Sequence, residues 1–234
     1  MKNDRNAIVL CSGGLDSVVT SFYVKKQLKD QKITILFFNY CQKALKQERR
    51  CSRLCAKKIG AEFIEINLDW LDKISNSLIN KNGKIKKLNR KDLKDTRKES
   101  QKYYVPCRNS IFLVYALAIA ESIFLKDKIK SDIFVGFKCE GKEPYPDTTK
   151  EFVREINQLG KLSCTGQFKI YAPLIKKDKE DIILLAKKLG VKVEDTFSCY
   201  IGNKKHCGYC LACKLRQEGF YWANIKDPTI YSKN

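Results

Sequence analysis

Ala7-Ile8-Val9-Leu10-Cys11-Ser12-Gly13-Gly14-Leu15-Asp16-Ser17 is the stretch that decides the fold. Ala7 to Cys11 is a short apolar run and reads as a buried strand. Ser12, Gly13 and Gly14 break it. From Ser17 to Lys29 the pattern turns helical, with Val18, Phe22 and Leu28 spaced for one buried face. The unit is strand, glycine turn, helix start. Glycine lets the backbone turn tightly and approach a ligand closely. The first N–H groups of a helix lack intrahelical partners and carry partial positive charge. Ser12 and Ser17 add hydroxyl donors. Such a loop suits an anion, above all phosphate. The glycine spacing is too short for the kinase-type phosphate loop, and no third glycine completes a dinucleotide fingerprint. A plain β–turn–helix with a Gly-Gly turn is the simpler alternative.

Ser12, Asp16 and Ser17 around the glycines make the loop more specific than that. Ser-Gly-Gly-x-Asp-Ser resembles the pyrophosphate loop, or PP-loop, of ATP pyrophosphatases. The resemblance implies that ATP and Mg2+ bind at Cys11, Ser12, Gly13, Gly14, Leu15, Asp16 and Ser17. It implies cleavage between the α and β phosphates, with AMP placed on a substrate oxygen.

The chain has 234 residues, which suits one α/β domain with a small appendage. Its longest apolar run, Ile111 to Ala120, is too short to span a bilayer. Met1-Lys-Asn-Asp-Arg5 followed by a strand does not read as a signal peptide, so a soluble cytoplasmic protein with no membrane partner is expected. The formal net charge of +20 invites a nucleic-acid reading. The basic residues are mostly lysines spread along the chain, so a solvated lysine-rich surface is favoured, with tRNA kept open as a partner. Eleven cysteines, an odd number, argue against a disulfide framework. Cys51 and Cys55, one helical turn apart, read as buried thiols.

Along the chain, Ile33 to Phe38 is a second strand and Leu45 to Ile59 a helix stopped by Gly60. Glu62 to Ile66 is a third strand. The alternation predicts a doubly wound, mostly parallel sheet in an α/β domain spanning 1–195. Residues 81–102, rich in charge, read as an exposed insertion: a lid over a ligand, or a solvated loop without a role. Ser110 to Phe124 is apolar nearly all round and is expected to be a central, buried helix. Arg108, at its start, can meet phosphate or carboxylate by a forked contact, or else form a surface ion pair while Asn109 caps the helix. Asp132 to Phe137 is a further strand. The loop Lys138 to Asp147 falls at the sheet edge that faces a ligand. Thr148 to Leu159 reads as a helix stopped by Gly160, with Asp147 or Thr148 as its cap. Lys169 to Tyr171 is a short strand, and Lys179 to Leu189 an amphipathic helix.

Residues 196–234 hold Cys199, Cys207, Cys210 and Cys213, in the spacing Cys-x7-Cys-x2-Cys-x2-Cys, and then a helix. Four thiolates can close a tetrahedral shell around Zn2+, and a closed shell makes the metal structural. An iron–sulfur cluster or a redox dithiol are the rivals. His206, the only histidine, reads as a bystander.

A PP-loop at the start and a four-cysteine knuckle at the end together resemble the 7-cyano-7-deazaguanine synthase family. The likeness includes Phe38 to Gln42, Val105-Pro106 with Arg108 to Leu113, Tyr145-Pro146-Asp147, Pro173-Leu174 with Asp178-Lys179, and Ser198 to Arg216. It implies an adenine nucleotide alpha hydrolase-like fold with a small zinc module, and a carbon–nitrogen ligase that adenylates the carboxylate of 7-carboxy-7-deazaguanine and couples it to ammonia, giving the amide and then the nitrile. It implies catalytic roles for Ser12, Asp16, Ser17 and Arg108, substrate contacts from Tyr145, Asp147, Asn109 and Lys179, and a homodimer. Four features depart from the pattern. Thr148-Thr149 follows Asp147 where Cys-Arg is usual, and Cys139 to Pro144 lacks the usual Glu-Thr-Asp and Ser-Gly elements. Cys107 stands where a small residue, often Gly, is usual, and Ala44 replaces the usual His. These departures leave open a reaction that stops at the amide, or an acceptor amine on a protein. A tRNA-modifying PP-loop enzyme is a further alternative.

Overall fold

The computed structural model describes residues 5–138 and 145–232. The leading apolar run forms β1 (Asn6–Leu10), and its side chains alternate between two apolar layers. Ile8 and Leu10 enter one layer; Ala7, Val9 and Cys11 enter the other. A strand buried on both faces reads as a continuous apolar run, which is how this one appears in the sequence. Burying each Val, Leu or Ile side chain contributes roughly 1.5–3 kcal/mol.

Next come α1 (Leu15–Gln27), β2 (Ile33–Asn39), α2 (Leu45–Ile59) and β3 (Glu62–Asn67). Two short helices follow, α3 (Trp70–Ile74) and α4 (Arg97–Gln101), and then the long α5 (Arg108–Asp127). The rest is β4 (Ser131–Phe134), α6 (Lys150–Ser163), β5 (Ile170–Tyr171), α7 (Lys179–Lys188) and α8 (Leu211–Trp222). The five strands pair in parallel in the order β3-β2-β1-β4-β5. Val9 lies opposite Ile35 on one side and Phe134 on the other. The order reverses at β1, so a crevice opens beyond its C-terminal end. The loop at Cys11 to Gly14 sits there.

Three expectations need correction. Helix α5 is not buried all round. It packs Leu113, Ala116, Leu117 and Ala120 inward and leaves Val114, Tyr115 and Leu125 exposed. An outer-layer helix meets the sheet on one side only, whatever its composition. It is also the one helix among the described residues long and apolar enough to cross a membrane, yet its inner face is a core face. Gly160 does not end α6, which runs on to Ser163; the missing side chain instead admits Leu117 of α5, which a Cβ would meet at 3.1 Å. The cap of α6 is neither Asp147 nor Thr148. Thr149 accepts from the Phe152 N–H, a contact that contributes about 1 kcal/mol.

Residues 81–102 carry a 3-10 turn (Arg90–Lys94) and α4, and are mostly exposed. Leu88 is buried, and its N–H donates to the Tyr209 carbonyl at 3.1 Å. The cysteine module shares both core layers, through Leu211 in one and Phe220 in the other. The altered loop Cys139 to Pro144 lies outside the described residues.

Cys107 precedes α5 with φ of +52°, in the left-handed region. That backbone costs a residue with a Cβ roughly 1–2 kcal/mol, partly offset by glycine's larger entropy loss on folding. Cys107→Gly is therefore expected to raise the melting temperature by about 2–4 °C, read by calorimetry. An unchanged or lower midpoint contradicts the strain.

Candidate active site and metal centre

The loop after β1 is shaped by close approach. Gly13 has φ of +80°, and a Cβ there would lie 2.5 Å from the Glu48 carbonyl oxygen and 2.8 Å from Cys51 Cβ. Gly14 stands at the N-terminus of α1. The Ser12 and Ser17 hydroxyls lie 3.3 Å apart, and Ser17 Oγ donates to the Gly14 carbonyl at 3.1 Å. Gly136, just past β4, meets the start of α1; a Cβ there would come within 3.0 Å of Ser17 N and Cα. Two chain segments thus press around one helix N-terminus, where N–H groups face a ligand. A hydrogen bond shared with Cys55 holds the buried Cys11 thiol below its usual range and pushes that of Cys55 above it. Cys51 and Cys55 are buried, as expected.

This loop opens into a cavity of 340 Å³. Cys11, Ser12, Gly14, Leu15, Asp16 and Ser17 reach it from one side, and Arg108, Asn109, Tyr145, Asp147 and Lys179 from the others. Of the phosphate and substrate residues named from the sequence, Gly13 alone does not line it; its role is backbone shape. Asp16 is not free. Lys179 Nζ, from the first residue of α7, donates to both its carboxylate oxygens at 2.7 and 2.8 Å.

Arg108 forms no surface ion pair, and Asn109 does not cap its helix. Arg108 Nη1 donates to Tyr40 Oη at 3.4 Å. Burial pushes the Tyr40 hydroxyl up to about 12, so it stays protonated. Asn109 is buried, and its N–H donates to Asp147 Oδ2 at 3.2 Å while its Nδ2 donates to the Asp147 carbonyl at 3.3 Å. Asp147 therefore meets the N-terminus of α5, where a negative charge is favoured, rather than the helix beside it in sequence. Tyr145 Oη donates to the Ser100 carbonyl at 2.8 Å, and its ring stacks on Tyr104. Thr96 and Ser100 of the 81–102 segment are therefore part of the cavity wall.

Sequence reasoning missed Glu48, Ser198 and Arg216, which also line the cavity. Glu48 lies in the first turn of α2, where no local sequence signal sets it apart from the other charges of that helix. Arg216, the end of the stretch that carries the family likeness, is buried. Its guanidinium donates to Thr196 Oγ1, Ser198 Oγ, Thr229 Oγ1 and the Val193 carbonyl. Phe197 N donates to the Gly13 carbonyl at 2.9 Å, so the cysteine module directly supports the loop after β1.

Cys199, Cys207, Cys210 and Cys213 are all buried, and their sulfurs lie within 4.8 Å of one another. The Cys207 and Cys213 sulfurs are 3.8 Å apart. Tetrahedral Zn–S bonds of about 2.3 Å place sulfurs about 3.8 Å apart, so the shell fits zinc. The Cys207 N–H donates to Cys199 Sγ, and the Tyr209 and Cys210 N–H groups donate to Cys207 Sγ at 3.4 and 3.2 Å. Hydrogen bonding within the cluster holds the Cys207 thiol well below its usual range and those of Cys210 and Cys213 above it. His206 is not among the ligand sulfurs. Burial pushes it down to about 4, and its neutral Nε2 accepts from the Ser198 N–H at 3.1 Å. It holds the approach to Cys199 in place.

The family model for queuosine biosynthesis protein QueC matches residues 6–224. The chain is similar to the 7-cyano-7-deazaguanine synthase of Methanosphaera stadtmanae, at 37% identity over 97% of this chain and 98% of the relative. The synthase of Methanobrevibacter smithii is 36% identical, covering 98% of this chain and 99% of its own length. That of Campylobacter hominis is also 36% identical, over 96% and 99%.

Proposed function

The chain belongs to the family of queuosine biosynthesis protein QueC, and on that premise we propose that it is an ATP-dependent ligase acting on 7-carboxy-7-deazaguanine. The observation that carries this reading is the meeting, in one cavity, of the Ser12–Ser17 loop, Arg108 and Asp147. The loop N–H groups and the Ser12 and Ser17 hydroxyls hold the phosphates of ATP. Asp16, with the Ser12 and Ser17 hydroxyls, would hold a Mg2+ brought with ATP, which would offset phosphate charge. The substrate carboxylate attacks the α-phosphate, forming an acyl-adenylate and releasing pyrophosphate. Arg108 faces the charge that develops on the transferred phosphate. Lys179 fixes Asp16 and adds positive charge at the cavity edge. Asp147 accepts N–H bonds from the guanine-like face, and Tyr145 borders the ring. Ammonia then displaces AMP to give the amide. A second adenylation, on the amide oxygen, expels AMP and leaves the nitrile. No side-chain nucleophile is required; positioning supplies most of the acceleration. The zinc module is structural.

Incubation with ATP, ammonium and the deazaguanine acid tests this. The expected products are the nitrile and an AMP for each of two activations, followed by mass spectrometry over time. An end point at the amide, or a conjugate with a protein amine, overturns the nitrile reading. ATP cleavage that requires tRNA overturns the small-molecule substrate.

A further inference from the structure

Three carboxylates line the cavity among the described residues: Asp16, Asp147 and Glu48. Asp16 is ion-paired to Lys179, and Asp147 accepts from the Asn109 N–H at the start of α5. Glu48 has neither kind of partner. It stands in the first turn of α2, and its position is set by Gln42. Gln42 Oε1 accepts from the Tyr40 N–H at 2.9 Å. Gln42 Nε2 donates to the Phe38 carbonyl at 3.1 Å and to Glu48 Oε2 at 3.0 Å. The carboxamide is held at both ends, so a neutral donor aims the carboxylate, and among the described residues no ion pair within 4.0 Å ties it up. The groups that face Glu48 electrostatically are Arg108 of α5, Tyr40 beyond β2 and Cys51 one turn along α2. Burial outweighs the Gln42 and Arg108 contributions and pushes the Glu48 carboxyl up to about 7.

We propose that Glu48 is the base for the second half-reaction, taking the proton from nitrogen as ammonia displaces AMP. The proposal rests on the adenylation reading of the same cavity. When ammonia adds to the acyl carbon, the C–N bond forms and nitrogen becomes positively charged. The C–O bond to AMP then breaks, and AMP leaves with the electron pair. The remaining Glu48 oxygen takes one N–H proton, which passes to water as the carboxylate is restored. A base that titrates near neutral pH suits such a transfer. Glu48 has no part in the first half-reaction, in which no proton moves.

Glu48→Gln and Glu48→Asp test this with two separate readouts. Acid-dependent exchange of pyrophosphate into ATP reports adenylation and a folded cavity. Single-turnover ammonolysis of the preformed adenylate, expressed per free ammonia across neutral pH, reports the proposed step. In E48Q the ammonolysis rate is expected to fall about a hundredfold and to lose its rising limb near pH 7, while exchange persists. E48D is expected to restore part of the rate. E48Q with unchanged ammonolysis, or with exchange lost in the same proportion, overturns the role of Glu48. A wild-type protein without acid-dependent exchange overturns the adenylation reading itself, and this inference with it.

Discussion

Ser12→Ala and Asp16→Ala are each expected to lower acid-dependent pyrophosphate release by a hundredfold or more. Loss of one preorganised donor to developing charge typically costs on the order of a hundredfold to a thousandfold. Ser12 Oγ also accepts from the Gly14 N–H at 3.4 Å and meets Ser17 Oγ, so its loss loosens the loop. Asp16→Ala removes the carboxylate that fixes Lys179 and leaves that ammonium to move into the phosphate space. Pyrophosphate release is read by a coupled assay, with circular dichroism to show that the fold is kept. Folded variants with full activity contradict a phosphate-binding role for this loop.

Cys199→Ser is expected to abolish zinc binding and to destabilise the chain from its C-terminal side. The apparent binding energy of a structural four-ligand zinc site is about 10–16 kcal/mol at neutral pH, and it contributes directly to folding. The consequences reach the cavity. Phe197, bonded to Gly13, and Ser198, bonded to Arg216, directly precede Cys199 in the chain. A strong chelator should therefore melt the module and depress adenylation together. Elemental analysis should give about one zinc per wild-type chain and none in the variant. Iron in place of zinc, or a metal-free chain with unchanged stability, refutes this.

How far the sequence disclosed these features depends on the range over which each is encoded. The strand–glycine turn–helix unit and α2 are legible because their signals are local: an apolar run, a glycine break, a helical period and a left-handed Gly60 cap. The clustering of the four cysteines is legible because their short spacings bring the sulfurs together. The alternative of Asp147 as a cap fails because a local rule competes with a partner 38 residues away. Gly160 looked like a stop, but its packing against Leu117 depends on how two helices meet in space. The half-exposure of α5 follows from its place outside the sheet, which an apolar composition does not encode. Glu48 became a cavity residue only once Gln42, Tyr40 and Arg108 converged on it.

Transfer of oxygen from the acid is the most direct measure of carboxylate adenylation. The deazaguanine acid is prepared with heavy oxygen in its carboxylate and turned over with ATP and ammonium to the amide. Attack of that carboxylate on the α-phosphate leaves one labelled oxygen in the phosphate of AMP and none in pyrophosphate. Label found in inorganic phosphate beside ADP, or AMP released without label, would contradict it.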